Sequence, residues 1–403
     1  MNPPLKKIIT RTILLVSLVS LFTDIASEML YPIMPVYLKS IGFSVMLIGI
    51  LEGIAEATAG LTKGYFGNLS DHMHKRAPFI RAGYALSAIS KPLLALFTWP
   101  VWIFFARTLD RFGKGIRTSA RDAMLSDETT REHKGKVFGF HRAMDTVGAA
   151  IGPVFALIFL SIYPEQYKWL FIIAFLPGIL AVAMTFLVKD KPSSQSRDTT
   201  APRVSFFSYF RYWTRASSDF KFLVAGLLVF TLFNSSDAFL LLALKHKGIS
   251  DSAMIGFYIF YNLVYALAAF PIGMIADRIG LKTMLIFGLF LFAVVYSFMG
   301  FAGSWLAFGV LFLLYGIYAA STEGVSKALI SNLASKEETA TAIGFYNSFA
   351  SILTMISSSL AGVLWYAIGP KAMFLISGTG VLAVATYLFV YFILKKGKSR
   401  SFH

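Results

Sequence analysis

Long apolar stretches separated by short polar breaks run through most of the chain. A helix needs about 20 residues to cross a bilayer, and reading each stretch against that length predicts about twelve membrane helices. The first six fall at 12–38, 44–66, 78–98, 100–124, 137–161 and 167–188. The second six fall at 221–244, 253–275, 281–301, 304–329, 339–366 and 372–394. The stretch between the two sets is polar and rich in Ser, Thr and Arg, and reads as a cytoplasmic linker. Its aromatic and basic part, 206–213, has the composition of a segment lying along a membrane surface. The expected organisation is an all-α integral membrane protein: an N-terminal six-helix bundle over 1–188, a linker over 189–220, and a C-terminal six-helix bundle with a basic tail over 221–403.

Composition sharpens the class. Of 403 residues, 56% are hydrophobic and 14% charged, with a mean hydropathy of +0.66. Soluble domains carry about a quarter charged residues, so an ordinary soluble enzyme, a disordered chain and a secreted disulfide scaffold are all excluded. Cysteine is absent, which removes disulfides, thiolate metal sites and a cysteine nucleophile. The basic start of the chain runs into an apolar stretch too long for a cleavable signal peptide.

The 37 Lys and Arg against 21 Asp and Glu give a net charge of +16. In a soluble protein such a balance points to nucleic acid; in a membrane protein it points to loops retained in the cytoplasm. The location of the charges decides for the second. Lys6, Lys7 and Arg11, then Lys75 and Arg76, Arg131, Lys134 and Lys136, the linker, Arg278 and Lys282, and Lys395, Lys396, Lys398 and Arg400 occupy the ends and alternate loops. The opposite loops are short and nearly uncharged, Lys245 and His246 being a mild exception. Both termini are therefore expected in the cytoplasm of a multi-pass plasma (bacterial inner) membrane protein, which requires an even number of spans.

The halves repeat at a constant offset. Gly67, Asn68, Leu69, Ser70 and Asp71 recur as Gly273, Met274, Ile275, Ala276 and Asp277, and 137–141 recurs as 342–346. Two pseudo-symmetric bundles are the signature of a secondary transporter built from a duplicated unit.

With these residues the chain resembles the major facilitator superfamily over nearly its whole length. The superfamily's loop signature, G-x-x-x-D-R-x-G-R-K, is matched in the second half by Gly273, Asp277, Arg278, Gly280 and Lys282. The first copy keeps Gly67, Asp71, Lys75 and Arg76, with His72 and His74 in place of the expected Arg and Gly. The resemblance implies a cytoplasmic gate, in which glycine permits close helix approach and the acid pairs with basic groups in one conformation. Arg111, Gly113, Lys114 and Gly115 look like the R-x-x-Q-G motif with Lys for Gln. Gly139, Gly148, Gly152, Pro153 and Ala156 resemble the glycine motif of proton-driven exporters, with Ala in the final place. The same glycine spacing also serves as a packing seam in any membrane bundle.

Charges inside a bilayer mark pathways, because they are costly unless paired or hydrated. The first span holds Asp24 and Glu28, four apart on one face; the second holds Glu52, Glu56 and, further on, Lys63. Lys91 falls near mid-membrane in the third span, roughly 15 Å along the helix from Arg81. In the fourth, Arg107, Arg111, Lys114, Arg117 and Arg121 make one continuous face, with Asp110 and Asp122 as counter-charge. The fifth adds His141, Arg142 and Asp145, His141 being either a titrating group or a structural histidine. The second half is sparser, with Asn234, Asp237, Asn262, Glu323, Lys327 and Asn347. The expectation is a first bundle that carries coupling and charge recognition, and a second that supplies a more apolar wall. Proton coupling is assigned to Asp24, Glu28, Glu56, Arg111 and Asp145, and substrate binding to Lys91, Arg107, Lys114, Asn234, Asp237 and Asn262. Gating is assigned to the two loop signatures together with Gly148, Gly152 and Pro153. Each carboxylate has a fixed ion pair as its alternative role.

The function expected is secondary active transport of a small organic solute by alternating access, as proton-coupled antiport or export. The alternatives are a proton-coupled importer of an anionic metabolite or metal chelate, and a membrane receptor that no longer transports. No enzymatic motif occurs, among them H-E-x-x-H, G-x-S-x-G and the Walker loop, and no cofactor or metal is expected. The expected partners are solute, protons and the lipid bilayer, without nucleic acid, for a monomeric chain.

Overall fold

The structure, a computed structural model, describes residues 8–31, 33–190 and 205–400, and these contain helices and turns but no β-strand. Helices α1 (Arg11–Glu28), α2 (Met34–Ser40), α3 (Val45–His72), α4 (Ala77–Leu96), α5 (Pro100–Asp127), α6 (Lys134–Ile162) and α7 (Tyr167–Thr185) come first. A single turn, α8 (Tyr212–Arg215), precedes α9 (Ser218–Phe233), α10 (Ala238–His246), α11 (Asp251–Ile279) and α12 (Leu281–Met299). The last three are α13 (Trp305–Leu333), α14 (Thr339–Ile368) and α15 (Pro370–Arg400).

Helix is the only open-ended element that satisfies every backbone group within lipid, and local residues set the ends. Thr10, Ser44, Ser217 and Ser250 cap α1, α3, α9 and α11 by accepting from a backbone N–H in the first turn. Asp190 caps α4, accepting from the Arg76 and Ala77 N–H groups at 2.8 and 2.9 Å. Among the described residues eight helical stretches are long and apolar enough to cross a membrane: α6, α7, α9 with α10, and α11 through α15. The long helices outside that set, α1, α3, α4 and α5, carry Asp24, Glu28, Glu52, Glu56, Lys91 and the basic face from Arg107 to Arg121. Exposed Val101, Leu306, Leu267 and Leu176 give the helices an apolar outer surface, and exposed Trp99, Trp169 and Trp305 stand at helix starts, where interfacial aromatics anchor a span.

Two expected spans are broken. The stretch 12–38 divides into α1 and α2, because the chain turns after Glu28 and Pro35 has no N–H to continue a helix. Helix α2 packs into an apolar core with Tyr37 edge-on to Phe171, the ring centroids 4.8 Å apart. The stretch 221–244 divides at Asn234–Asp237, where four consecutive polar side chains compete with the backbone for hydrogen bonds.

The chain forms two compact units. One comprises 1–131, 144–216 and 334–351; the other comprises 132–143, 217–333 and 352–403. Helices α6 and α14 therefore each contribute their first turns to one unit and their remainder to the other. Of the expected linker, 191–204 lies outside the described residues, 205–216 belongs to the first unit, and the last four residues belong to the second. Tyr209 is fully buried against Gly64 of α3. Phe206 stacks on Tyr65, and Trp213 stacks on Phe345 of α14 with centroids 5.6 Å apart. The aromatic stretch 206–213 thus packs onto α3 and α14, while Phe206, Phe207 and Phe210 keep an exposed face.

Candidate functional site

In the first unit α5 is held between its neighbours by the glycines of the R-x-x-Q-G-like motif. A side chain at Gly113 would stand 2.6 Å from the Gly83 carbonyl of α4, and one at Gly115 would overlap Thr62 of α3. This close approach aligns the basic face of α5 with the acids of α3. Arg107 Nε and Nη2 donate to the two carboxylate oxygens of Glu52 at 2.8 and 3.0 Å, a bidentate pair. One turn on, Arg111 Nε lies 4.0 Å from Glu56. Steps of four on both helices thus build a two-rung ion-pair ladder. Behind it Lys91 of α4 donates to Asp110 at 2.7 Å, and Asp110 also lies 3.7 Å from Arg107. Arg121 pairs with Asp122 at 2.9 Å and donates to Ser20 at 3.0 Å. The Arg117 guanidinium bonds Ser87 and lies over the Tyr84 ring at 4.4 Å.

Lys114 is different. Among the described residues its ammonium makes no ion pair, whereas Lys91 and Arg107, also expected to bind substrate, are both engaged with acids inside the unit. Asp110 is the counter-charge expected within the basic face, and Glu52 is an intramembrane acid that the sequence left without a site role. Their signal was the matching four-residue step of Glu52 and Glu56, and the position of Asp110 inside the basic face.

The exporter-like glycines meet the first acid pair directly. A side chain on Gly148 would stand 2.5 Å from the Leu21 carbonyl and 3.1 Å from the Asp24 Cβ; one on Gly152 would stand 2.7 Å from the Ile25 carbonyl. Asp24 is half-buried there, in the electrostatic field of Asp145, Glu28, Arg117 and Lys114. Gly148→Val should force α1 and α6 apart, lowering stability in detergent by about 1–3 kcal/mol and stopping transport. Gly53→Ala, whose added Cβ meets nothing within 4 Å, should leave both unchanged in the same melting and flux measurements.

In the second unit the break between α9 and α10 presents Asn234 and Asp237. Discontinuous helices are where transporters of known architecture form substrate and ion sites. Asp237 accepts from the Tyr315 hydroxyl at 2.6 Å, and Asn234 donates to the Tyr318 hydroxyl at 3.3 Å. Tyr261 and Tyr318 flank Tyr315 with ring centroids 5.0 and 5.1 Å away, and Tyr296 hydrogen-bonds Ser235. Nearby Arg142 pairs with Glu323 and donates to Tyr265. This part of the second half is therefore a tyrosine cluster around one carboxylate, not the apolar wall expected. Its trace in the sequence was the helical spacing of Tyr258, Tyr261 and Tyr265 and of Tyr315 and Tyr318. Asn262 donates to the Tyr258 carbonyl of its own helix at 3.0 Å.

The two loop signatures do equivalent work in the two units. Asp71, 3% exposed, accepts from Ala340 N–H at 3.3 Å and from the Thr341 N–H and hydroxyl, both at 2.6 Å. Asp277 accepts from the Gly135 and Lys136 N–H groups at 2.8 and 2.9 Å. Acids and capped residues are both related by the repeat offset. Gly67 lies against the Ala340 carbonyl and Gly273 against that of Gly135, so neither position has room for a side chain. Of the basic partners expected, Arg76 pairs with Asp71 at 2.5 Å, whereas Lys75, Arg278 and Lys282 are exposed. His74 has a φ of 50°, and Gly280, its counterpart in the repeat, has a φ of 99°. The histidine thus takes the left-handed conformation that the family's glycine provides, which histidine adopts more readily than most residues.

Paired charges inside an apolar, many-helix chain, with a broken helix presenting polar groups, define a multi-pass membrane transporter. The Major Facilitator Superfamily model matches residues 16–261 and 239–402, and the chain belongs to this family. It is 33% identical to the uncharacterized MFS-type transporter MJ1317 of Methanocaldococcus jannaschii over 96% of this chain and 95% of that protein. It is 21% identical to the multi-drug resistance efflux pump PmrA of Streptococcus pneumoniae over 85% of this chain and 88% of the pump. The fold matches the crystal structure of the human organic anion transporter MFSD10 with a TM-score of 0.75 at 17% identity, covering 96% of this chain and all of that one.

Proposed function

We propose that the chain is a proton-coupled exporter of a small organic solute bearing an anionic group. In this reading twelve spans form two six-helix bundles with both termini in the cytoplasm. The observation that carries it is the distribution of pairs in the first unit. Glu52 and Asp110 already serve Arg107 and Lys91, while Lys114 shares the field of Glu56 with Arg111 and makes no close ion pair among the described residues, which leaves its ammonium to meet an anion. Asp24 lies in the field of Lys114 and against the Gly148 seam, so one side chain senses both solute charge and helix packing. Proton binding at Asp24 and anion binding at Lys114 would then be linked through charge. The likeness to an efflux pump and to an organic anion transporter favours export and an anionic solute. The caps on Asp71 and Asp277 would hold one state of the alternating-access cycle, and their release would open the other.

The test is flux in everted vesicles with an acid lumen. A panel of organic anions is expected to include one that accumulates in the lumen as the pH gradient dissipates. Asp24→Asn should abolish gradient-driven accumulation, and Lys114→Gln should raise KM by roughly tenfold, the loss of one charge-assisted contact. Uptake into right-side-out vesicles driven by external acid would overturn export in favour of the importer reading.

A further inference from the structure

A second feature lies wholly in the other unit, at the end where α11 passes into α12. There Ile286 of α12, Leu329 and Leu333 of α13, and Phe389, Phe392 and Ile393 of α15 line a groove of about 780 Å³. That volume lies within the ~300–1,000 Å³ of ordinary small-ligand sites. The groove is mainly apolar, with Thr283 and Asn332 as its neutral polar residues, and is charged at one end. Lys282 stands there with its ammonium 4.7 Å from the centre of the Phe392 ring.

Lys282 makes no ion pair among the described residues, in contrast to the acid-paired lysine and arginines of the first unit's interior. Arg278 is exposed in the last turn of α11. Beyond Ile393, α15 continues through Lys395, Lys396 and Lys398 to Arg400. The first turn of α12 follows Gly280, which has no side chain to cap it, so its N–H groups add to the positive field at the same place. An apolar slot with uncompensated positive charge at its mouth is complementary to an amphiphile with an anionic head and an aliphatic tail. On the loop-charge reading this end faces the cytoplasm, where basic pockets between helices take anionic lipid headgroups.

We propose that this groove binds one anionic phospholipid, its phosphate at Lys282 and the start of α12 and one acyl chain along Leu329, Leu333 and Phe389. The proposal does not depend on the export reading.

Native mass spectrometry of the full chain, released from nanodiscs of mixed phosphatidylglycerol and phosphatidylcholine, tests it. The expected result is one retained lipid per chain, with phosphatidylglycerol preferred about fivefold, the effect of one lysine near a membrane surface. Lys282→Glu should remove the preference. Leu329→Trp and Leu333→Trp, each filling the slot from a different turn of α13, should remove retention of either lipid. Melting temperature and far-ultraviolet circular dichroism identify which variants fold, and Lys282→Glu, at an exposed position, provides the test that does not disturb the core. Equal retention of the two lipids by the unaltered protein would overturn the proposal. So would a preference that survives Lys282→Glu, retention that survives both tryptophans, detergent that phosphatidylglycerol does not displace, or chain dimers in place of lipid adducts.

Discussion

Asp110→Leu is expected to destabilise the first unit by about 3–5 kcal/mol, the cost of leaving a buried charge without its partner. Lys91 is 2% exposed and donates to Asp110 at 2.7 Å, and no other acid pairs with it among the described residues. Removing Asp110 strands that ammonium between α4 and α5. Lys91→Met should cost less, because Asp110 still has Arg107 at 3.7 Å. The double variant should recover most of the loss, since an apolar pair of similar volume replaces a buried ion pair at little cost. Equilibrium unfolding in mixed micelles, read as a double-mutant cycle, checks all three. If the single and double variants were equally destabilised, the pair would contribute packing rather than charge compensation.

Asp71→Asn and Asp277→Asn are expected to expose the helix starts that these acids cap. Each carboxylate holds backbone N–H groups through charge-assisted bonds, which contribute about 1.5–3 kcal/mol apiece. Losing that much shifts an open–closed equilibrium by roughly tenfold or more. Because the chain has no cysteine, a single introduced thiol is an unambiguous probe. Ala342 of α14 and Val137 of α6 are both fully buried and correspond through the repeat. Ala342→Cys should be nearly unlabelled by a polar maleimide and should label at least tenfold faster with Asp71→Asn; Val137→Cys should respond in the same way to Asp277→Asn. Unchanged labelling in both pairs would mean that the caps hold nothing that opens.

Much of the site was legible before the fold. The step of Arg107, Arg111 and Lys114 marked one helix face, because helical periodicity places residues three and four apart on the same side. The repeat at 205–206 positions anticipated that Asp71 and Asp277 would do the same work. The position of Lys282 in the second loop signature, by contrast, implied a gate partner, and it lies instead over Phe392. The tyrosine cluster was missed because phenols carry no charge at neutral pH and were not weighed as polar groups. The breaks at Glu28 and Asn234 were missed because hydropathy averages over a window, while a helix ends at individual proline and polar side chains.

Residue types and their order alone established a helical membrane chain with two repeated halves, charges concentrated in the first, and a recognisable family. Those properties follow from transfer free energy and local periodicity, which need no knowledge of neighbours. The identity of each partner belonged to the tertiary structure: Glu52 for Arg107, 55 positions away, Asp110 for Lys91, and for Lys114 the field of Glu56 and Asp24 with no close ion pair among the described residues. In a low-dielectric interior the effect of a charge depends on which opposite charge lies within a few ångströms. That is set by where glycines let helices touch and by how each helix is rotated, and only the packed molecule specifies both.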